Sequence, residues 1–230
     1  MPQTILLTGA SRGIGRATAH LLAQQGANLA LLARNTEELT REAHDLNALA
    51  LPADVTNEAQ VKQAIEQTIN HYGRLDAIIC NAGVGSFAEL ENFTLDEFER
   101  QFATNVRGTF LLCKYAVPHF KAQKSGHIIG VASDVSKRTF AHGTVYGATK
   151  YAQDALLGSL RKEVRPHGVK VSVIYPGMVD THFSGEPGGA ATAHTHLRPE
   201  DVAAAIAYVL QAPAHVVVDE LMLHPLSQEW

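Results

Sequence analysis

Short apolar runs alternate with amphipathic runs along the chain, and this alternation constrains the fold more than any other feature. The apolar runs predict strands at 3–9, 27–34, 48–54, 75–83, 126–133, 169–177 and 216–223. The segments between them predict helices near 13–25, 35–47, 57–72, 94–122, 146–165 and 199–211. Near-continuous apolar strands are typical of a parallel sheet covered on both faces. We therefore predict one α/β domain over 1–230 with a doubly wound sheet.

Composition and charge exclude several classes of protein. The net charge is −4 and no basic run reaches five residues, so we expect no nucleic-acid partner. No apolar stretch approaches the roughly 18 residues that a membrane span needs, and the N-terminus is typical of a strand rather than a signal peptide. Cys80 and Cys113 form no CxxC pair, which favours reduced core residues over a redox role. These features predict a cytoplasmic protein.

The stretch "TGASRGIG" at 8–15 follows the first predicted strand and opens the first predicted helix. Its glycines Gly9, Gly13 and Gly15 permit a tight turn and the close approach of a pyrophosphate to a helix N-terminus. The alternative is a plain strand–helix turn. The strand before it, the helix after it and the alternating chain favour a dinucleotide site.

The end of the second strand indicates which dinucleotide binds. An NAD site usually places an acid there to hold the ribose 2′-hydroxyl. Here the stretch reads "LLARNT", with Ala33 in place of the acid and Arg34 next, while Arg12 lies in the glycine turn. Two guanidiniums without an acid suit a 2′-phosphate, although Arg34 alone is also consistent with a solvated charge. We therefore expect NADP(H) rather than NAD.

Tyr146 and Lys150 lie four positions apart in "YGATK", so a helix places them on one face. Such a pair is usually a surface contact. In a catalytic site, an ammonium about 4 Å from the phenol is worth about 4 kcal/mol, enough to lower its pKa of near 10 by up to ~3 units. We expect this effect to bring the pKa of Tyr146 close to neutral pH, where a general acid–base works best.

Seven motifs, taken in order, resemble those of the short-chain dehydrogenase/reductase family over nearly the whole chain. They are "TGASRGIG" (8–15), "ADV" (53–55), "CNAG" (80–83), Asn105 in "ATNVRG", Ser133 in "VASD", "YGATK" (146–150) and "PGMVDT" (176–181). Ser133 precedes Tyr146 by the 13 residues usual in the family. The resemblance implies a Rossmann-type seven-stranded parallel sheet in the order 3-2-1-4-5-6-7.

The resemblance also implies the site. The catalytic tetrad would be Asn105, Ser133, Tyr146 and Lys150, with Tyr146 as acid–base, Ser133 on the substrate oxygen and Asn105 holding a water next to Lys150. The cofactor-binding residues would be Gly9, Ser11, Arg12, Gly13, Ile14, Gly15, Arg34, Asp54, Val55, Asn81, Ala82, Gly83, Tyr146, Lys150, Pro176, Gly177, Val179 and Thr181. Asp54 and Val55 would contact the adenine, and the last four residues the nicotinamide end.

Some stretches depart from the family pattern. Cys80 replaces an Asn, and "SDVSKRTFAHG" after Ser133 is unusually polar, so that Asp134 and Arg138 shape substrate choice or are simply solvated. A Gly/Ala/His-rich stretch predicts a flexible substrate loop at about 182–198. His194 and His196 in this loop lack acidic or Cys neighbours, which favours solvated residues over a metal site. Candidate pocket residues, which are equally consistent with ordinary packing, are Phe140, His142, Met178, His182 and Phe183.

These features predict an NADP(H)-dependent oxidoreductase that interconverts a carbonyl and a secondary alcohol of small to medium size. One alternative is a non-catalytic NADPH-binding sensor on the same fold, which usually lacks the Tyr or the Lys. Another is an epimerase or dehydratase, which usually carries a further C-terminal domain. Small and apolar residues over more than one face of helix 146–165 predict a homodimer or homotetramer.

Overall fold

The strands form one parallel sheet at the centre of the molecule. The computed structural model describes residues 2–181, 183 and 195–229. The strands are β1 (Thr4–Thr8), β2 (Asn28–Ala33), β3 (Leu49–Pro52), β4 (Ala77–Cys80), β5 (Gly126–Val131), β6 (Val169–Pro176) and β7 (Glu220–Leu223). They pair in the order β3-β2-β1-β4-β5-β6-β7, and each pair is parallel. The predicted Rossmann-type sheet and its strand order are confirmed.

Alternate residues of the central strands build two separate cores. Leu6 packs into the cluster on one face of the sheet, whereas Ile5 and Leu7 pack into the cluster on the other. All five residues of β1 are buried, because helices cover both faces. The continuous apolar runs of the sequence follow from this arrangement.

Seven α-helices connect the strands within the described residues. They are α1 (Gly13–Gln24), α2 (Thr36–Asp45), α3 (Glu58–Tyr72), α4 (Leu95–Gln101), α5 (Gly108–Gln123), α6 (Thr144–Val164) and α7 (Pro199–Leu210). Helices α1, α2 and α7 contribute to the core of one face, and α3, α5 and α6 to that of the other. Asn35 and Asn57 cap α2 and α3 by accepting hydrogen bonds from backbone N–H groups.

Two predicted elements differ from the structure. The single helix predicted over 94–122 is divided into α4, a π-helical stretch at Phe102–Arg107, and α5. The strand predicted over 216–223 is confined to β7, at the edge of the sheet. Apolar periodicity does not distinguish an α-turn from a π-turn, and a Val-rich run at a sheet edge needs no partner along its whole length.

Most of the loop predicted at about 182–198 lies outside the described residues. Those of its residues that the structure describes are Phe183 and 195–198. Val179 and Leu197 form an isolated parallel bridge, which joins the end of the "PGMV" segment to the start of α7. In the part of the chain that is described, no helix is both long and apolar enough to cross a membrane.

Candidate active site

A cleft of about 990 Å³ runs along the carboxyl ends of the strands. It crosses the position between β1 and β4, where the connections that follow these strands run in opposite directions, from β1 towards β2 and from β4 towards β5. Doubly wound sheets bind ligands at this switch point. All of the predicted site residues line this cleft except Gly15 and Asn105. Its lining also includes residues that the sequence did not indicate, among them Leu32, Asn35, Glu38, Ala53, Val84, Gly85, Ser86, Arg100, Thr104, Val131 and Ala132.

The glycine turn has the backbone that its sequence requires. Gly9 and Gly13 have φ values of +66° and +55°, a region that favours glycine. A Cβ on Gly15 would lie 2.1 Å from the carbonyl oxygen of Gly9. Gly15 therefore packs directly against the turn and does not line the cleft. The side chain of Arg12, the residue before α1, forms no capping hydrogen bond. It therefore leaves the first N–H groups of the helix to an anion.

Asn81 and Thr8 hold the glycine turn against the neighbouring strand. The Asn81 amide nitrogen donates to the carbonyl oxygens of Thr8 (2.9 Å) and Gly9 (3.2 Å). The Thr8 hydroxyl oxygen accepts from the N–H groups of Asn81 and Ala82, both at 3.1 Å. Thr8 is not among the predicted site residues, although a Thr at the end of a predicted strand, next to a glycine, is a signal that the sequence contains.

Two guanidiniums lie at one end of the cleft, which we call the nucleotide end. Arg12 and Arg34 are exposed and line the cleft, and neither forms an ion pair with any residue that the structure describes. The acids that line this end are Glu38 and Asp54, while Ala33 is buried at the end of β2. Two guanidiniums without an ion pair among the described residues, beside the N-terminus of α1, suit a phosphorylated ligand.

Ser133, Tyr146 and Lys150 line the opposite, catalytic end of the cleft. Tyr146 and Lys150 lie one turn apart on α6 and are 8% and 4% exposed. Ser133 follows β5, and its hydroxyl also accepts from the N–H of Val135, so it caps a short 3-10 turn as well as lining the cleft. The structure thus brings three of the four predicted catalytic side chains together.

The expected lowering of the Tyr146 pKa is wrong for this arrangement. Burial raises the pKa of Tyr146, the nearby Asp134 carboxylate raises it further, and a hydrogen bond with Ser133 opposes both effects. The Lys150 nitrogen lies 5.8 Å from the centre of the Tyr146 ring, and burial lowers the Lys150 pKa to about 7. Desolvation of both groups therefore outweighs their mutual attraction.

A chain of buried polar groups holds Lys150. Its Nζ donates to the carbonyl oxygen of Val131 (3.2 Å) and to Oε1 of Gln153 (3.1 Å). The Gln153 amide nitrogen donates to the Thr109 hydroxyl (2.9 Å), which donates to the carbonyl oxygen of Asn105 (2.8 Å). Gln153 is not among the predicted site residues, because its role depends on its complete burial.

Asn105 is fully buried in the π-helical stretch and does not line the cleft. Its Oδ1 accepts from the N–H of Val84 (2.9 Å), while its Nδ2 donates to the carbonyl oxygen of Val84 (2.8 Å) and to the Thr149 hydroxyl (2.9 Å). Because both amide hydrogens are used in these bonds, Asn105 acts here as a brace between the segment after β4 and α6.

The unusual residue after the serine, Asp134, is a buried carboxylate with four polar neighbours. It accepts from the Ser133 hydroxyl (3.0 Å), from Nη2 of Arg138 (2.6 Å) and from the amide of Gln228 (2.8 Å). His224 lies 3.5 Å away. Gln228 also accepts from the N–H of Met178 at 2.8 Å. The C-terminal segment thus connects the catalytic serine to the segment that follows β6.

The remaining candidates have separate outcomes. Phe183 lines the cleft, Phe140 packs on Phe87, Met178 is exposed, and His142 faces Glu89 at 3.5 Å. His182 and His194 lie outside the described residues, and His196 lies within hydrogen-bond distance of Thr195. Across residues 2–181, 183 and 195–229, no cluster of three His, Cys, Asp or Glu side chains is placed to hold a metal ion.

Comparisons with known proteins agree with this geometry. The family model described as short chain dehydrogenase matches residues 3–188. An uncharacterized oxidoreductase of Staphylococcus epidermidis is 35% identical over 223 residues, which cover 96% of each chain. An alcohol dehydrogenase of the archaeon Thermococcus sibiricus, solved with 5-hydroxy-NADP, has a TM-score of 0.93 at 33% identity and covers 100% of this chain and 99% of its own.

A second solved structure carries the other dinucleotide. The 3-ketoacyl-(acyl-carrier-protein) reductase of Brucella melitensis, complexed with NADH, has a TM-score of 0.90 at 27% identity and covers 97% of both chains. The family match, the fold and the residues gathered in the cleft agree with one another. The chain belongs to the short-chain dehydrogenase family and is an oxidoreductase that acts on CH–OH groups with NAD(P).

Proposed function

We propose that the chain is an NADP(H)-dependent oxidoreductase that interconverts a carbonyl and a secondary alcohol, with Tyr146 as the general acid–base. The observation that supports this proposal is the joint lining of one cleft. Ser133, Tyr146 and Lys150 lie at its catalytic end, and the glycine turn with Arg12 and Arg34 lies at its nucleotide end.

The nucleotide end fits NADP(H). Arg12 and Arg34 would hold the 2′-phosphate, the glycine turn and the α1 N-terminus the pyrophosphate, and Pro176, Gly177, Val179 and Thr181 the nicotinamide end. The 5-hydroxy-NADP complex of the Thermococcus relative supports this choice. When bound, NADP(H) supplies or accepts the hydride.

The chain's own residues supply the proton and the orientation. With its raised pKa, the Tyr146 phenol keeps its proton at neutral pH and can donate it to a carbonyl oxygen. The Ser133 hydroxyl would hydrogen-bond the same oxygen and stabilise its developing charge. Lys150, with a pKa of about 7, changes charge near neutrality and would stabilise the deprotonated Tyr146. Asn105 and Gln153 are positioning residues.

The substrate would be a small to medium carbonyl compound or alcohol, and the protein a homodimer or homotetramer in the cytoplasm. Exposed aromatic residues on α5 and α6, Phe110 and Tyr151, support an association surface. Cys80 and Cys113 are free and buried, and a hydrogen bond with Cys113 together with burial raises the pKa of the Cys80 thiol. Unreactive reduced thiols are typical of a cytoplasmic protein.

The direct test is Tyr146→Phe, with Tyr151→Phe on the same helix as the matched control. Tyr151 is 42% exposed, so loss of its hydroxyl should leave turnover unchanged. For Tyr146→Phe we expect NADPH affinity within about twofold of wild type and a fall in carbonyl reduction of roughly 10²- to 10⁴-fold. NADPH binding is measured by nicotinamide fluorescence and turnover by NADPH consumption with a panel of ketones and aldehydes.

Two outcomes contradict the proposal. Undiminished turnover by Tyr146→Phe would remove Tyr146 from the proton transfer. Tight NADPH binding by the wild type, with no turnover of any carbonyl or alcohol in the panel, would favour the alternative of a non-catalytic NADPH sensor on the same fold.

A further inference from the structure

Three phenylalanines form a contiguous group that packs against the ring of the catalytic tyrosine. The Phe87 and Phe183 rings each lie 5.5 Å from the Tyr146 ring, in edge-on contact. Phe140 extends the group at 5.7 Å from Phe87. We call Phe87, Phe140 and Phe183 the aromatic wall. These three residues are 44%, 40% and 37% exposed, so the wall presents apolar surface beside the reacting hydroxyl.

Glycines allow the wall to stand close to the catalytic tyrosine. A Cβ on Gly85 would lie 2.6 Å from the Phe183 ring and 3.0 Å from that of Tyr146. A Cβ on Gly143, just before α6, would lie 2.3 Å from the Phe140 ring. Side chains larger than hydrogen at these positions would displace the rings. The arrangement is therefore a packed surface and not a set of scattered exposed residues.

Carboxylates face three of the cationic side chains, Arg100, Arg138 and His142, whereas the buried Lys150 donates to the uncharged Val131 carbonyl and Gln153 amide. Two nitrogens of Arg100 bind the Glu97 carboxylate, each at 2.7 Å, and this pairing lowers the Glu97 pKa to about 2. Arg138 binds Asp134, and His142 faces Glu89 at 3.5 Å. An anionic substrate would have to compete with these carboxylates, whereas a neutral one would not.

We propose that the aromatic wall binds a neutral aromatic or bulky hydrocarbon group of the substrate. The inference rests on the proposed function and narrows its substrate class to uncharged ketones and secondary alcohols with such a group within a few bonds of the reacting carbon. Edge-on contact with three rings provides the geometry that aromatic groups prefer, and the apolar group would cover the exposed faces of these rings.

The test uses three ketones of matched chemistry with the NADPH-loaded wild type. They are 4-phenylbutan-2-one, butan-2-one and 3-oxobutanoate, which share a methyl ketone and differ in the aromatic group and the charge. We expect kcat/KM for 4-phenylbutan-2-one to exceed that for butan-2-one by at least about tenfold, as hydrophobic pockets commonly discriminate. We expect 3-oxobutanoate to be the poorest of the three.

Variants test whether the aromatic wall causes the preference for the phenyl ketone. Phe87→Ala and Phe140→Ala should each lower the ratio of kcat/KM for 4-phenylbutan-2-one to kcat/KM for butan-2-one by about tenfold. The control is Tyr208→Ala, which removes an aromatic ring that is 64% exposed on α7 and should not change this ratio. Circular dichroism and the melting temperature check that each variant is folded.

A binding measurement separates this inference from the proposed function. Saturation-transfer NMR follows 4-phenylbutan-2-ol on wild type and on Phe87→Ala. Binding that weakens in the variant supports the wall even if no ketone is reduced, in which case the proposed function alone fails. Ketone reduction without preference for the phenyl compound, or an equal loss for every ketone in Phe87→Ala, overturns the wall and leaves the oxidoreductase proposal standing.

Discussion

The two ends of the cleft stabilise their geometry in different ways. At the nucleotide end, backbone conformation dominates: Gly9 and Gly13 shape the turn, and one side chain, the amide of Asn81 after β4, binds its carbonyl oxygens. At the catalytic end, buried polar side chains from distant parts of the chain do so, such as Gln153 on Thr109 and Gln228 on Asp134. A turn built from consecutive residues can be recognised in a short sequence motif, whereas a network of side chains can be recognised only in the folded structure.

This difference has an energetic consequence. Changes in the glycine turn act through sterics, because the turn is closely packed against the residues that follow β4. Changes at the catalytic end act through electrostatics, because Tyr146 and Lys150 are buried and their pKa values depend on each neighbouring dipole and charge. Variants at the nucleotide end should therefore alter cofactor affinity, and variants at the catalytic end should alter the pH dependence of turnover.

The largest effect is expected for Gly15→Ala. Its methyl group would lie 2.1 Å from the Gly9 carbonyl oxygen and would displace the glycine turn. We expect a loss of NADPH affinity of at least about 100-fold, since a displacement near 1 Å has effects of this size. The control is Gly158→Ala in α6, where a Cβ meets nothing within 4 Å. Fluorescence titration should show unchanged affinity for Gly158→Ala, and equal affinities in both variants would contradict the steric account.

A smaller effect is expected when Lys150 loses its amide partner. Gln153→Leu removes the acceptor at 3.1 Å and leaves a buried amine, so the Lys150 pKa should fall below its present value of about 7. Gln153→Glu places a carboxylate there and should raise it. We expect kcat to fall by roughly 30-fold in Gln153→Leu, within the range of acid–base effects.

The pH profile of kcat distinguishes this positioning role from a loss of packing. The limb that reports Lys150 should move to lower pH in Gln153→Leu and to higher pH in Gln153→Glu. A uniform loss of kcat with unmoved limbs in both variants would show that Gln153 serves packing alone.

Asp134→Asn should have a weaker effect, about tenfold on kcat or less, as expected for the loss of one charged partner. The Asp134 carboxylate raises the Tyr146 pKa, so its removal should lower that pKa and shift the ascending limb of the pH profile of alcohol oxidation to lower pH. Gln228→Ala should shift the same limb less. Asp45→Asn, at an exposed carboxylate on α2, is the control. An unmoved limb in Asp134→Asn would contradict the electrostatic role.

The glycine turn could be predicted from the sequence for a physical reason. Its glycines occupy a single strand–turn–helix, and the φ values of Gly9 and Gly13 favour glycine. The adjacency of Tyr146 and Lys150 was also predictable from helical spacing. The direction of the Tyr146 pKa shift was not, because it depends on burial, which spacing does not report.

The polar networks could not be predicted from the sequence for the same reason. Asp134 and Gln228 lie 94 positions apart, and nothing in either segment indicates the other. The π-helical stretch that holds Asn105 looked like one helix with its neighbours, because its apolar pattern continues through the irregularity. Tertiary contacts, not local preferences, determine these features.

The smallest expected effect concerns the stability of the sheet that carries both ends of the cleft. His127 in β5 lies 2.8 Å from the Ser172 hydroxyl, and burial lowers its pKa to about 4 from an ordinary 6.5. Between these values the unfolded chain binds a proton that the folded chain does not, so stability falls as the pH falls. Urea unfolding at pH 7 and pH 5.5 should show wild type losing about 1 kcal/mol more than His127→Gln. An equal loss in both proteins would contradict the assignment.

The central claim is that the nucleotide end selects NADP(H) through Arg12 and Arg34, and parallel titrations with NADPH and NADH test it most directly. Nicotinamide fluorescence gives both dissociation constants for wild type and for the Arg12→Ala/Arg34→Ala double variant. We predict that wild type binds NADPH at least about tenfold more tightly and that the double variant loses this preference, because charged hydrogen bonds to a phosphate are worth at least about 1.4 kcal/mol. Equal or tighter binding of NADH by wild type would contradict the account.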